Sequence, residues 1–301
     1  MIHFTHSKLL IPVDFSDTSM LAIKHGAYFA EKTNAHVYLL HVVNTHFMSQ
    51  NMFIPVVNIK QSEVEIKATE KLQQLAQEIR AEFKVNVDCI TRSGTPASEV
   101  VRVAGEISAS LIIMGTHGYS PLQEIMIGSV ALKVITRSPS PTMVMSSEAD
   151  HKGYKKIVLP IDNTANSRQK VNYTLDFAKK FEATVHAIAL VGTDEESDRP
   201  AMELVLHQIK TLAKEKAVSF HSEVLDRVKN RATATVQYIE RVGADLVVIM
   251  TDQDAELSGF FLGPYSQQII HKSKVPVIAI KPKDLYVDPT YGGIPGTSGR
   301  H

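Results

Sequence analysis

The sequence predicts an α/β fold built from two tandem, doubly wound domains, and three observations support this prediction. Short apolar runs of strand length alternate with longer amphipathic stretches, which is the order expected for helices packed on a parallel sheet. The apolar runs largely lack polar alternation, so both faces of each strand should be buried. The pattern also starts again midway, because residues 156–162, KIVLPID, repeat residues 8–14, KLLIPVD. We therefore expect a duplicated chain.

The first half begins with a strand at residues 8–14, which ends on the carboxylate of Asp14. Residues 15–19, FSDTS, offer helix N-cap candidates before apolar residues that recur at roughly helical spacing. The same criteria predict strands at 35–43, 85–91, 111–114 and 141–145, and helices at 60–83, 96–107 and 130–135. This order gives one unit with right-handed crossovers between parallel strands.

The second half repeats this order after a polar linker at residues 148–154. Helices are expected around Phe177 and at 201–216 and 232–242, and strands at 156–162, 218–225, 244–250 and 275–280. We therefore predict one domain at residues 1–147 and a second at 154–283. Residues 284–301 are rich in Gly and Pro, which is typical of a flexible tail.

Composition limits the function classes. The chain carries 32 basic and 32 acidic residues, so no net charge directs it to nucleic acid or to an anionic membrane. No apolar run is long enough to span a bilayer, and the N-terminus lacks a signal-peptide pattern. The single cysteine, Cys89, suits a reducing compartment, and the thirteen histidines lack zinc-site spacing. We expect a cytoplasmic protein.

The stretch from Gly115 to Ser129, GTHGYSPLQEIMIGS, lies between a predicted strand and a predicted helix. Gly115 and Gly118 can adopt positive φ angles and let a ligand approach the backbone. Gly128 and Ser129 place free N–H groups and a hydroxyl at a helix N-terminus, where anions bind. This pattern predicts an anion site, with phosphate as the usual anion. The alternative is a tight turn in which the glycines serve only the bend.

Other residues are expected near this stretch. Asp14, residues 41–43 and Gly115 lie at or just past strand ends, so they can converge on one crevice at the carboxyl edge of the sheet. For His41 a hydrogen-bonded core position is favoured over a ligand role. His117 is either a phosphate contact or an exposed loop residue. The apolar residues between Phe47 and Val57 cover a neighbouring subunit or a ligand edge, or pack on their own domain.

The motifs LIPVDFS, LLHVV and GTHG followed after nine residues by GS resemble the ATP-binding subclass of the universal stress protein family. The resemblance implies five-stranded parallel sheets in the order 3-2-1-4-5, which pair through their fifth strands as an internal pseudo-dimer. It also implies ATP, or AMP or ADP, with Mg²⁺ or Mn²⁺ bridging the phosphates. The implied contacts are Pro12, Asp14 and Val42 around adenine and ribose, and Gly115, His117, Gly118, Gly128, Ser129 and Val130 around ribose and phosphates.

The second half departs from this motif. Aligned with GTHG, it reads Thr251-Asp252-Gln253-Asp254, followed by Ala255 and Glu256, and Gly263-Pro264 falls one residue early. Carboxylates repel a polyphosphate, and Pro264 lacks one N–H donor. We therefore expect no ATP in this half. The acidic residues are interpreted as a solvated loop in preference to a divalent-cation site, because the spacing is not that of a calcium loop.

Three functional classes follow from these features. The first is a nucleotide-binding regulatory protein in which ATP in the first half changes contacts with a protein partner. The second is a nucleotide-independent interaction or chaperone-like stress protein, suggested by the degenerate second half. The third is a slow ATP hydrolase, since the glycine site lacks the lysine and general base of efficient phosphoryl transfer. A homodimer of the tandem chain is compatible with each.

Overall fold

The computed structural model of the chain describes residues 4–5, 7–44, 61–117, 127–149, 153–162, 164–251 and 262–282. Several residues discussed above lie outside these ranges, namely Gly118, residues 47–57, Asp252, Gln253, Asp254, Glu256 and the tail at 284–301. Among the helices that the structure describes, none is both long and apolar enough to cross a membrane.

The first half has the predicted order of strands and helices. Its strands are β1 (Lys8–Pro12), β2 (His36–Asn44), β3 (Val87–Gly94), β4 (Leu111–Gly115) and β5 (Thr142–Met145). Its helices are α1 (Asp17–Thr33), α2 (Gln61–Phe83), α3 (Pro96–Glu106) and α4 (Ser129–Arg137). Ser16 is the N-cap of α1, and its side chain accepts a hydrogen bond from the backbone N–H of Ser19, which confirms the predicted helix start.

The second half repeats this arrangement, except that two helices replace α1. Its strands are β6 (Lys156–Ile161), β7 (Thr184–Gly192), β8 (Ser219–Val228), β9 (Leu246–Met250) and β10 (Val277–Ile280). Its helices are α5 (Ala165–Arg168), α6 (Lys170–Phe181), α7 (Arg199–Glu215), α8 (Arg231–Val242) and α9 (Pro264–Lys272). The duplication predicted from the repeated strand therefore extends over the whole unit.

All ten strands form one sheet in the order β3-β2-β1-β4-β5-β10-β9-β6-β7-β8. Within each half the strands are parallel and follow the order 3-2-1-4-5, as the family resemblance implied. The halves meet where β5 and β10 pair antiparallel, with Met143 opposite Ile278. The internal pseudo-dimer is therefore confirmed. Because the strands of the two halves run in opposite directions, their carboxyl ends lie at opposite edges of the sheet.

Two apolar layers cover the faces of this sheet, and each runs through both halves. On one face, aromatic side chains from α1 and α6 meet, including Phe29, Phe177 and Phe181, with ring centroids of Phe177 and Phe181 4.5 Å apart. Tyr154 from the linker is fully buried in the same cluster. Burying one such ring is worth roughly 1.5–3 kcal/mol, so this contact joins the halves strongly.

Candidate functional site

A cavity of about 280 Å³ opens at the carboxyl ends of β1, β2 and β4, with α3 and α4 as walls. Ligands in open α/β sheets bind at such an edge, where successive connections leave toward opposite faces. The cavity is lined by every described residue among the predicted contacts, namely Pro12, Asp14, Val42, Gly115, His117, Gly128, Ser129 and Val130. Gly118 lies outside the described residues.

One wall of this first cavity is apolar. It contains residues that the sequence analysis did not single out, which are Leu40, Pro96, Val100, Met114 and Ala131. Leu40 and Val42 share a face of β2 because side chains alternate along a strand, and Pro96 and Val100 share a face of α3 because they are four residues apart. These two spacings are the sequence signals that were available for finding this wall. The side chains of this wall are apolar and carry no charge.

The opposite end of the first cavity is polar and is organised by Asp14. β1 ends at Pro12, so Asp14 lies beyond the strand ladder with its side chain exposed at the cavity. Its Oδ1 accepts hydrogen bonds from the backbone N–H of Ser16 at 3.0 Å and from the Ser16 hydroxyl at 2.5 Å. The second carboxylate oxygen has no hydrogen bond from any residue that the structure describes, so it can accept one from a ligand hydroxyl.

Thr18 connects this polar end to the start of the glycine stretch. Its hydroxyl lies 3.1 Å from the Ser16 hydroxyl and donates a hydrogen bond to the carbonyl of His117. Thr18 is 9% exposed, and its bond to His117 is partly buried. His117 is half-buried, with Nδ1 2.9 Å from the Thr116 hydroxyl. Helix α1 therefore holds the chain where it leaves β4.

The glycines at 115 and 128 serve close packing, which corrects the expectation of positive φ at Gly115. Among the described glycines, only Gly94, Gly153 and Gly243 have positive φ. A Cβ at position 115 would lie 2.7 Å from the Thr18 side chain, and one at position 128 would lie 2.7 Å from the Thr116 carbonyl oxygen. Both positions require glycine because neighbouring protein atoms leave no room for a side chain.

Helix α4 begins at the cavity, as predicted for Gly128 and Ser129. Gly128 is the N-cap, and its carbonyl accepts the first helical bond from the N–H of Leu132 at 2.9 Å. The N–H groups at the first three helical positions, Ser129, Val130 and Ala131, have no partner within an α-helix. Together with the helix dipole they form a surface that favours an anion.

His41 has the hydrogen bond that the sequence analysis favoured. Its Nδ1 lies 2.8 Å from the carbonyl oxygen of Val13, and its ring packs against Phe15 at a centroid distance of 4.9 Å. The ammonium group of Lys71 lies over the Phe15 ring, 4.3 Å from its centre. His41 is half-buried rather than fully buried, and it does not line the cavity.

The second half has a cavity of about 300 Å³ at the equivalent place. Asp162 repeats Asp14, since its Oδ1 accepts hydrogen bonds from the N–H of Thr164 at 2.9 Å and from the Thr164 hydroxyl at 2.6 Å. Ser167 takes the place of Ser19, and its N–H bonds to the Thr164 hydroxyl at 3.2 Å. The polar end is therefore built alike in both halves.

Strand register corrects the alignment of the glycine stretch with the second half. The N–H of Thr116 bonds to Met145 at the end of β5, and the N–H of Thr251 bonds in the same way to Ile280 at the end of β10, both at 2.9 Å. Thr251 is therefore equivalent to Thr116, and Met250 occupies the place of Gly115. The sequence alignment was one residue out because the second half has no glycine at this strand end.

With this strand register, Gly263 aligns with Gly128 and no longer falls one residue early. Equal numbers of residues separate Thr116 from Gly128 and Thr251 from Gly263. Gly263 caps α9 as Gly128 caps α4, and its carbonyl accepts the first helical bond from the N–H of Gln267 at 3.0 Å. The two halves therefore have stretches of the same length here, and Pro264 occupies the position of Ser129.

The main difference between the cavities lies in the wall that is apolar in the first half. Arg231 stands where Pro96 stands, and Tyr265 stands where Val130 stands. The Arg231 guanidinium donates to both oxygens of Glu195 at 2.6 and 2.5 Å, and Glu195 also accepts from the N–H of Gly192 at 2.9 Å. The Gly192 N–H and then Arg231 lower the pKa of Glu195. This wall is therefore polar and charged.

Lys170 adds a second cation to this cavity. It occupies the position of Ala22, is 3% exposed, and donates from Nζ to the carbonyl and the hydroxyl of Ser167 at 2.8 and 3.1 Å. The carboxylates at 252, 254 and 256 lie outside the described residues. Within the part of the chain that the structure describes, no three His, Cys, Asp or Glu side chains are grouped as metal ligands.

Comparison with known proteins gives one consistent result. A family model described as the universal stress protein family matches residues 5–146 and again residues 153–281. A universal stress protein of Methanocaldococcus jannaschii is 31% identical over 153 residues, which cover 46% of this chain and 94% of that protein. A universal stress protein of Mycobacterium bovis is 23% identical over 291 residues, which cover 91% of this chain and 96% of that protein.

A solved structure supports the fold of both halves. The crystal structure of a universal stress protein from Archaeoglobus fulgidus superimposes with a TM-score of 0.75 at 21% identity, and the match covers 92% of this chain and 99% of that chain. Similarity at this identity concerns the fold alone. Because the family model matches both halves in succession, the chain belongs to the universal stress protein family as a tandem member.

Proposed function

We propose that this protein is a nucleotide-binding regulatory stress protein whose first half holds ATP, or ADP or AMP. The observation that carries this proposal is the composition of the first cavity. An uncharged apolar wall, a carboxylate with a free oxygen and the start of a helix surround one space of about 280 Å³. These three surfaces suit a base, a sugar and a phosphate in turn.

In this proposal the base lies against Val42, Pro96 and Val100, which line the apolar wall. The free oxygen of Asp14 accepts a hydrogen bond from a ribose hydroxyl. The phosphates lie at the N-terminus of α4, near Gly128 and Ser129. Pro12, Gly115, His117 and Val130 complete the contacts, and Gly118 is included from its sequence position alone.

A divalent cation, Mg²⁺ or Mn²⁺, accompanies the phosphates in this proposal. Mg²⁺ is commonly held by one or two carboxylates, substrate phosphates and water rather than by a complete set of protein ligands. The described residues fit this mode, since the described lining of the cavity contains no Lys or Arg side chain that could neutralise the phosphates. The ion would neutralise phosphate charge beside the helix terminus.

Regulation would act through the chain that follows β4. Thr18 ties the carbonyl of His117 to α1, and Ser16 ties Asp14 to the same helix turn. A nucleotide that contacts Asp14 and the start of α4 would therefore act on both ends of this connection. We propose that its presence changes the contacts of the first half with a protein partner in the cytoplasm, and that a homodimer of the tandem chain is compatible with this role.

The duplicated aspartate provides the test. Asp14→Asn keeps the Oδ1 that accepts from Ser16 but replaces the second oxygen by an amide, whereas Asp162→Asn makes the matched change in the second half. Equilibrium dialysis of nucleotide-free protein with Mg·ATP should show affinity reduced about tenfold or more in Asp14→Asn and unchanged in Asp162→Asn. Equal affinity in all three proteins, or no binding to the wild type, would reject the site.

One observation favours a second candidate, a nucleotide-independent interaction or chaperone-like protein. Gly115 and Gly128 are explained by contacts with Thr18 and Thr116, so these glycines by themselves do not require a ligand. Absence of nucleotide binding in the dialysis experiment would select this candidate. If ATP binds, a turnover assay with Mg²⁺ separates a regulatory site from a slow hydrolase.

A further inference from the structure

The second cavity is preserved in size but changed in chemistry. Its volume is about 300 Å³, compared with about 280 Å³ in the first half. The different residues of its wall therefore leave a cavity of similar size. Eight of its twelve lining residues are polar or charged, namely Asp162, Thr164, Asn166, Ser167, Lys170, Arg231, Thr251 and Tyr265. A space of this size with so many hydrogen-bonding groups is suited to a small polar ligand.

Acceptors lie at one end of this cavity. Oδ1 of Asp162 is engaged by Thr164, as described above, and Oδ2 receives no hydrogen bond from the described residues. An ionised carboxylate oxygen accepts strongly from hydroxyl groups. Because Asp162 is half-buried, a hydroxyl bound there would face limited competition from water.

Donors lie on the opposite wall, where the first cavity has apolar side chains. Arg231 uses one terminal nitrogen for Glu195, and within the described part of the chain its Nε and its other terminal nitrogen make no hydrogen bond. The Tyr265 hydroxyl lies 3.2 Å from the hydroxyl of Thr235, which donates its own proton to the carbonyl of Arg231 at 2.8 Å. Tyr265 therefore donates to Thr235.

The described lining carries two cations, Lys170 and Arg231, and one anion, Asp162. Glu195 lies outside the lining but forms an ion pair with Arg231 and offsets its charge, which leaves Lys170 and Asp162 to balance each other. The helix start is also less suited to an anion than in the first half, since Pro264 has no N–H. The cavity thus has no excess positive charge to compensate a phosphate.

We propose that the second cavity binds an uncharged, polyhydroxylated molecule of monosaccharide size. Hydroxyl groups of such a ligand both donate and accept, which matches the free oxygen of Asp162 on one side and the guanidinium of Arg231 on the other. The ring of Tyr265 adds a flat apolar surface beside them. The proposal does not depend on nucleotide binding by the first half.

A titration of the full-length protein with D-ribose tests this proposal. Binding is detected by saturation-transfer NMR, which does not depend on a measurable heat of binding. We expect saturable binding to the wild type that weakens about tenfold or more in Asp162→Asn and in Arg231→Met, whereas His207→Gln, a change at an exposed position of α7, should leave binding unchanged. Asp162→Asn retains the oxygen that accepts from Thr164, so its folding should be intact, and thermal melting of each variant checks this.

Two results would overturn the proposal. The site is wrong if D-ribose does not bind saturably, or if Asp14→Asn loses binding while Asp162→Asn keeps it. The proposal of an uncharged ligand is wrong if D-ribose 5-phosphate binds tenfold or more tightly than D-ribose and loses this binding in Asp162→Asn. ATP affinity, measured separately on the same proteins, reports on the first half alone, so failure of one proposal is distinguishable from failure of the other.

Discussion

The two cavities of this chain share a scaffold and differ in one wall. In both halves a strand ends before an aspartate, a Ser or Thr two residues later binds that aspartate, and a glycine caps the helix at the far side. In the first half the remaining wall holds Pro96 and Val130, and in the second half it holds Arg231 and Tyr265. A few wall positions therefore determine which chemistry the duplicated edge can bind.

The difference between the two walls gives a new reason why only the first half should bind ATP. The sequence attributed the exclusion of ATP from the second half to its acidic residues and to the missing N–H of Pro264, and it placed Gly263 one residue early. The glycine is not displaced, because Gly263 caps α9 at the position equivalent to Gly128. The described residues instead point to the wall, where a base would meet a guanidinium and a phenol rather than apolar carbon. Four changes can break or sharpen this comparison.

The largest effect is expected from Val130→Tyr, which gives the first cavity the residue of the second. The ring would occupy the space proposed for the base, so ATP affinity should fall about 100-fold, which corresponds to about 2.7 kcal/mol. Isothermal titration calorimetry measures this loss. The matched control is Tyr265→Val, which should leave ATP affinity unchanged, and an equal loss in both variants would contradict the comparison.

Gly115→Ala should destabilise the protein, because the new Cβ would lie 2.7 Å from the Thr18 side chain. Forcing extra atoms into a packed site costs about 1–3 kcal/mol of unfolding free energy. Urea denaturation measures the change. Gly105→Ala is the control, since no atom lies within 4 Å of a Cβ there and alanine favours the helix. Equal stability of the two variants would show that Thr18 moves aside readily.

A smaller effect is expected from Thr18→Val, which removes the hydroxyl that donates to the carbonyl of His117. Loss of one such bond costs about 1 kcal/mol, or roughly a fivefold change in an equilibrium that depends on it. Hydrogen exchange should rise around residues 116–117 even without nucleotide, and ATP affinity should fall several-fold. Thr18→Ser keeps the hydroxyl and should restore both measurements. Unchanged exchange in Thr18→Val would remove the proposed link to α1.

The smallest effect concerns pH and belongs to the second half, where His186 on β7 faces His221 on β8. Burial, then repulsion from His221 and Lys156, lowers the pKa of His186 below its ordinary value of 6.5. As the pH falls below 6.5, the unfolded chain takes up a proton before the folded chain does, so the unfolding free energy decreases.

Replacing this histidine should weaken that pH dependence. His186→Gln should reduce the decline in unfolding free energy below pH 6.5, as measured by urea denaturation at a series of pH values. His207→Gln, a change at an exposed position of α7, is the control and should leave the decline as it is. A decline that is identical in wild type and His186→Gln would place its origin elsewhere.

Local sequence patterns predicted the helices and strands well, because these elements form largely through interactions between residues close together in the chain. Continuous apolar runs and capping residues such as Ser16 are decided within a few neighbours, and the repeat at 156–162 indicated duplication directly. Asp14, Val42 and Gly115 were expected at one crevice because strand ends share one edge of a parallel sheet, whereas Pro12 was implied by the family resemblance. The pairing of β5 with β10 was implied by the family resemblance and was confirmed, and the structure adds that the two strands are antiparallel.

What the sequence did not predict depends on contacts between distant segments. The role of Gly115 follows from its distance to Thr18 on another element, and no local pattern contains that distance. The register of Thr251 is set by its bond to Ile280, far along the chain. The contribution of Pro96 and Val100 to the first cavity depends on how α3 packs over β2 and β4.

Calorimetric titration of nucleotide-free, full-length protein with Mg·ATP tests the central claim most directly, because it yields both affinity and stoichiometry. The asymmetry of the two walls predicts one ATP per chain. Two equivalents per chain would contradict it by showing that Arg231 and Tyr265 do not exclude the base. Absence of binding, verified by equilibrium dialysis, would contradict the nucleotide site altogether and favour a nucleotide-independent role.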